Sequence, residues 1–339
     1  MSVVISSREA CIAKISEILE QETFPHSDTH VNNIIHIIDQ ISDYYEEGCK
    51  LYPEVLMVTS RDMICSYPGR FICLYAGELK DRHFKDALKL CAPLAVDNWN
   101  IYIILPDDNN IEFGIISTEV KETSSSVREI SLSQTDKDDH FLYIRNVGGK
   151  NVEVARRNDA FLISLSLQEF VTTQDDNISK LVDAIIMDLQ DKEETRRFMH
   201  KVILDSLNEG HGNLIAVCKE QDIEEVLGNM TGGAKLIPYV DIPELLKADK
   251  ESGRSESAVA IKSNVSIVKS MINHDGITIF STNGKVMAFH CIIDNSKAKD
   301  PDSVGGARTK AFDAMKTIPE FRMVFFKSQE GKTKIFSHE

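Results

Sequence analysis

The stretch GITIFSTNGKVMAFHCII (276–293) carries two apolar runs on either side of Asn283-Gly284. Asn-Gly readily adopts the positive φ of a tight hairpin turn, so the spacing predicts two antiparallel strands. Downstream follow a polar loop (294–306), a helix ARTKAFDAMK (307–316) and a second hairpin, FRMVFFK with TKIF, turning around Glu330-Gly331. Upstream, NLIAVC (213–218) reads as a buried strand, and VDIPELLKAD (240–249) and SNVSIVKSMIN (263–273) read as helices. Strands that alternate with helices make this half an α/β domain, with a mixed central sheet flanked by helices.

The first half also reads as mixed α/β. A helix over 7–21 opens at Ser6 or Ser7, and a second follows Asp28 and Thr29 with Val31, Ile34, Ile35, Ile38 and Ile41 on one face. Strands are expected at VLMVT (55–59), FICLY (71–75), IYIIL, IEFGIIS, HFLYI from 140 and AFLISL from 160, with a helix at HFKDALKLC (83–91). The last two strands bracket a Gly148-Gly149 turn, and the polar segment 121–139 reads as a long mobile loop. From Ile178 through Leu189 to Ile203 the apolar spacing predicts one long amphipathic helix. The domain boundary is therefore expected near TTQDDN, giving domains 1–175 and 176–339.

The chain has 339 residues, which at about 150 residues per domain fits two domains. Its formal charge of -15 argues against duplex nucleic acid or an anionic membrane as the main partner, since both need a broad cationic surface. No apolar run reaches the roughly 18 residues of a membrane span, and the start lacks the basic-then-apolar pattern of a signal peptide. Seven cysteines with no CxxC pair read as reduced, mostly buried thiols, so a cytoplasmic location is expected.

Three features near the C-terminal end can carry chemistry. Asp275-Gly276 holds a carboxylate at the mouth of an apolar strand, where glycine admits a ligand close to the backbone. Gly305-Gly306 runs into a helix with Arg308 and Lys310 in its first turn. Free amides and cations there suit an anionic phosphate chain, although cations sit better at a helix C-terminus. Ser328-Gln329-Glu330 adds oxygen ligands of the kind Mg²⁺ or Mn²⁺ prefers. Each feature alone is an ordinary turn or helix end.

In this order and spacing the three resemble the diadenylate cyclase (DAC) domain family, with its Asp-Gly-Ala motif, its Gly-Thr-Arg-His-Arg-Ala helix start and its Ser-Glu-Glu turn. Here the counterparts are Asp275-Gly276-Ile277, Gly306-Ala307-Arg308-Thr309-Lys310-Ala311 and Ser328-Gln329-Glu330, and HGNLIAV (211–217) is similar to the family's first core strand. The resemblance spans roughly 200–337. It implies a cyclase joining two ATP molecules into cyclic di-AMP across a dimer of two chains, with Mg²⁺ or Mn²⁺, and an N-terminal sensor domain. By the same resemblance Asp275 helps hold the metal and activates a ribose 3′-hydroxyl, with Ser328 and Glu330 in support. Arg308 and Lys310 grip the triphosphate, Gly276, Gly305, Gly306 and Thr309 frame the nucleotide, and Ile293 lines the adenine pocket.

This chain departs from the family at Ile277, Ala307, Thr309 and Lys310. Lysine keeps the charge but lacks the planar fork that binds phosphate twice, and threonine cannot carry a proton as histidine does. Beside a nucleotidyltransferase stands a second reading, a DAC-fold module that senses an adenine nucleotide without turning it over. A third is an interaction protein with no site here. Gly331-Lys332-Thr333 is no P-loop, because Phe326 takes the place of the first glycine and a strand follows. His26 and His30 belong to a loop leading into a helix, while His211, His290 and Cys291 belong to the core or a sheet edge.

Overall fold

The computed structural model describes residues 3–338 apart from 6–7, 23, 26, 81, 97, 107–108, 120–122, 134–139, 149, 158, 166–173, 191, 210–211, 253–254, 295–305 and 330. The chain is of mixed α and β structure and divides into two compact units, residues 1–171 and 172–339. The boundary expected after residue 175 falls inside a helix that starts at Gln174.

Unit 1 runs β1 (Val3–Ile5), α1 (Arg8–Gln21), α2 (Asp28–Ser42), β2 (Tyr45–Glu46), β3 (Cys49–Lys50), β4 (Val55–Val58), α3 (Arg61–Ser66) and β5 (Arg70–Glu78). It continues with α4 (Arg82–Cys91), β6 (Asn100–Ile104), β7 (Asn110–Ser117), α5 (Val127–Ser133), β8 (Phe141–Asn146), β9 (Asn151–Arg156) and β10 (Asp159–Ser164). Eight strands form one sheet in the order β1-β10-β9-β8-β4-β6-β7-β5, parallel at β1/β10 and β4/β6 and antiparallel elsewhere. The isoleucine stripe of α2 explains one face: Ile34, Ile37, Ile38 and Ile41 are fully buried with residues of α1, α4 and the sheet. Each such side chain contributes about 1.5–3 kcal/mol by leaving water. The other face buries Tyr102, Phe141 and Tyr143 with residues of α3 and α5.

Two expectations for this unit need correction. The polar segment 121–139 contains α5, started by a reciprocal cap in which Ser126 Oγ accepts from the Glu129 amide at 3.2 Å and the Glu129 carboxylate accepts from the Ser126 amide at 2.9 Å. Its flanks, 120–122 and 134–139, lie outside the described residues. Between the two expected strands lies a further one, β9, which pairs with both; Gly149 lies outside the described residues.

Unit 2 runs α6 (Gln174–Ile185), α7 (Glu193–Glu209), β11 (Asn213–Cys218), α8 (Ile223–Gly228), β12 (Met230–Asp241), α9 (Ile242–Ser252), α10 (Ser255–Asn273), β13 (Ile277–Ser281), β14 (Lys285–Ile293), α11 (Ala307–Met315), β15 (Phe321–Lys327) and β16 (Thr333–Ser337). Its sheet has the order β12-β14-β13-β11-β15-β16 and is parallel only between β11 and β13. Alternate residues of β11 serve opposite faces. Ile215 and Val217 pack with α6, α7, α9 and α10, whereas Leu214, Ala216 and Cys218 pack with α8 and α11.

The single long helix expected from Ile178 is two helices. The chain leaves α6 because Asp188 is captured by the β13–β14 turn: its amide donates to the Thr282 carbonyl at 2.9 Å and its carboxylate accepts from the Thr282 hydroxyl at 2.6 Å. The same turn needs a glycine. Gly284 has φ +85°, and a Cβ there would lie 2.6 Å from Pro243 Cγ. All seven cysteines are free, four of them buried, and among the described residues no helix is long and apolar enough to cross a membrane.

Candidate functional site

The turn carrying Asp275 is fixed from three sides. Asn213, buried at the start of β11, donates Nδ2 to the carbonyl of Ile272 and to Asn273 Oδ1, both at 2.9 Å. Thr278 on β13 donates its hydroxyl to the Met271 carbonyl at 2.9 Å. These bonds satisfy the end of α10 and set where the chain departs from it. Gly276 then takes φ +98°, and a Cβ on it would approach His290 Cα and the Cys291 carbonyl oxygen at 3.0 Å. Only glycine fits this close passage against β14.

β14 is deformed to receive that turn. Ile277 pairs with Cys291 while Ile279 pairs with Ala288, so the ladder bulges in between, and His290 adopts φ +54°. Its Nδ1 donates to the Asp275 carbonyl at 2.6 Å, and His274 Nδ1 donates to the same oxygen at 3.1 Å. The two imidazoles meet edge to face with centroids 4.6 Å apart. Since a carbonyl only accepts, each Nδ1 carries a proton. On the neighbouring strand Gly233, at φ +132°, makes room for the Cys291 sulfur, whose thiol burial pushes up to about 11.

From α11, Arg308 reaches Asp275, with Nη2 3.6 Å from Oδ1. The pair is loose and the aspartate side chain is 78% exposed, so the contact adds little stability and leaves the carboxylate open to a ligand. Gly212, at φ +137° just before β11, completes the cradle. A Cβ there would lie 3.2 Å from both Arg308 Nη1 and the Lys327 carbonyl oxygen and 3.5 Å from the Gln329 amide. Asp275, Arg308, Gly212 and the 328–329 turn thus form one chain of neighbours at one end of the sheet.

No family model, curated protein or solved structure matches this chain. What the site can do therefore rests on its own residues.

Of the expected residues, Asp275, Gly276 and Arg308 sit together, and the turn containing Ser328 adjoins them through Gln329. Ser328 is held in its own turn, its hydroxyl accepting from the Lys332 amide at 3.0 Å. Gly306 stands at the N-cap of α11 with no side-chain cap, Lys310 is exposed and Thr309 half-buried. Ile293 is 6% exposed and packs in the core beneath α11. Gly305 and Glu330 lie outside the described residues. Among the described residues, no three His, Cys, Asp or Glu side chains converge as a ready-made metal cluster. Sequence reasoning missed Gly212 and His290. The glycine before an apolar run was a usable signal for the first; nothing in residue type announces the positive φ of the second.

Proposed function

We propose that unit 2 is a DAC-like module that binds ATP at Asp275 and Arg308 and condenses two ATP molecules into cyclic di-AMP. The supporting observation is the convergence of an open carboxylate, a guanidinium and a close-approach glycine, Gly212, at the start of a helix with uncapped first-turn amides. In a protein of formal charge -15 a polyphosphate needs such a local cationic site.

Asp275 and Ser328 offer the hard oxygen donors that Mg²⁺ or Mn²⁺ takes, and such ions are commonly bound by one or two carboxylates together with substrate phosphates. The ion would neutralise phosphate charge and make the ribose hydroxyl a better nucleophile. Arg308 holds phosphate oxygens by paired N–H bonds, and Lys310 adds a point charge. Asp275, on its rigid turn, orients the 3′-hydroxyl. Each 3′-hydroxyl gives up its proton to water as its oxygen attacks the α-phosphorus of the other ATP; two phosphodiester bonds form while the two bonds from the α-phosphorus to the bridging oxygen break, and two pyrophosphates leave. This needs two nucleotides face to face, hence a second copy of the chain. Unit 1 is the regulatory part of this reading.

One observation favours the second reading, a nucleotide sensor without turnover: Thr309 and Lys310 stand where the cyclase pattern has histidine and arginine. Incubation of the full chain with ATP and Mn²⁺, followed by mass spectrometry, separates the two. Cyclic di-AMP with released pyrophosphate is the expected result. Bound but unchanged ATP selects the sensor, and absence of binding rejects both.

A further inference from the structure

Unit 1 has a cavity of about 280 Å³ beside the C-terminal ends of the parallel strands β4 and β6. Its sheet side is a row of three registered neighbours, Ala76 on β5, Glu112 on β7 and Ile104 on β6. Thr59, Arg61, Gly77, Pro106, Asn110 and Ile111 line the rest.

Glu112 is the feature that needs a reason. A carboxylate with 11% of its side chain exposed, set between an alanine and an isoleucine, stabilises a sheet poorly and is costly to desolvate. Its Oε1 accepts from the Tyr102 hydroxyl at 2.8 Å and its Oε2 from Arg61 Nη1 at 2.5 Å. A carboxylate has about four acceptor sites, so both oxygens retain capacity. Arg61 gives Glu112 one of its five N–H groups and keeps 55% of its side chain exposed, stacked at 5.7 Å on Phe71. The pair therefore sets a negative group inside the cavity and a positive one beside it. Ala76, Ile104, Pro106 and Ile111 make the apolar part of the remaining wall, beside the polar Thr59 and Asn110.

We propose that this cavity binds a free α-amino acid with an apolar side chain, its ammonium on Glu112 and its carboxylate on Arg61. Size supports a small ligand, since pockets for drug-sized molecules run from roughly 300 to 1,000 Å³ and a nucleotide needs more than this cavity offers. Every residue of the site lies in unit 1, so it stands whether or not unit 2 binds a nucleotide.

Calorimetric titration of the full chain with the natural amino acids, and with analogues lacking either the amino or the carboxyl group, tests the assignment. One or more apolar amino acids are expected to bind, with each truncated analogue weaker by at least about tenfold. Glu112→Gln should weaken binding by a similar factor. Ala76→Leu, which leaves the ion pair in place and crowds the cavity's lining from an exposed edge-strand position, should weaken it by at least about tenfold, so a folding defect in the first variant does not spare the proposal. Absence of binding by every amino acid overturns it. So do analogues that bind as well as the parent ligand, or binding unchanged in Ala76→Leu.

Discussion

Glu153 in unit 1 and Asp275 in unit 2 live in opposite environments. Glu153 on β9 is half-buried between two guanidiniums: Arg145 Nε donates at 2.7 Å, and Arg128 Nε and Nη2 donate at 3.0 Å. Glu54 is tied to Tyr143 and, at 3.2 Å, to Asn100. Asp275 in unit 2 stands on a rigid turn with one loose cation 3.6 Å away and most of its surface in water. The first arrangement spends its hydrogen-bonding capacity on the fold, whereas the second leaves it open. Asp275 thus combines a fixed backbone with an open side chain.

Breaking the paired group should have the largest effect. Glu153→Ala takes from Arg145, at 7% side-chain exposure, and from Arg128 the carboxylate they share, and should cost about 3–5 kcal/mol in urea denaturation. Acid titration sharpens the same point. Burial raises the Glu153 carboxyl, but the attraction and hydrogen bonds of Arg145 and Arg128 outweigh it, so its net position is below the ordinary 4.5. A depressed folded value means stability that is present above 4.5 and lost as pH falls through the folded value. The parent should lose stability there, and Glu153→Gln, although less stable at neutral pH, should lose less over that interval.

An intermediate effect is expected at the turn itself. Gly276→Ala combines φ +98° with contacts at 3.0 Å to β14 backbone and should cost about 1–3 kcal/mol, read as a lowered melting temperature. The smallest stability effect belongs to the exposed carboxylate. Asp275→Asn should stay within about 0.5 kcal/mol of the parent while abolishing cyclic di-AMP formation. A large loss of stability in this variant would place Asp275 with the structural carboxylates of unit 1.

Much of this architecture was legible. Asn283-Gly284 announced the β13–β14 hairpin, and the isoleucine spacing of α2 announced a helix with a buried face. β12 was not legible, because MTGGAKLIPYV has two glycines, a proline and no apolar alternation; it is a mostly exposed edge strand paired only with β14. The break between α6 and α7 was hidden because Asp188 is held by Thr282, 94 residues later. Asp275 and Arg308 were visible as residue types at suitive ends of elements, but their proximity depends on α11 packing beside β11, β14 and β15. His290 was read as a core or edge histidine; its bond to the Asp275 carbonyl arises from a bulge that local propensity does not encode.

The central claim is that Asp275 and Arg308 mark an adenine-nucleotide site, and titration calorimetry of ATP into the parent, Arg308→Ala and Lys310→Ala tests it most directly. A charged hydrogen bond contributes about 1.5–3 kcal/mol, so Arg308→Ala should weaken ATP binding roughly tenfold to hundredfold. Lys310→Ala, which removes a single point charge at an exposed position, should weaken it less. Equal and negligible losses from both variants would contradict the assignment.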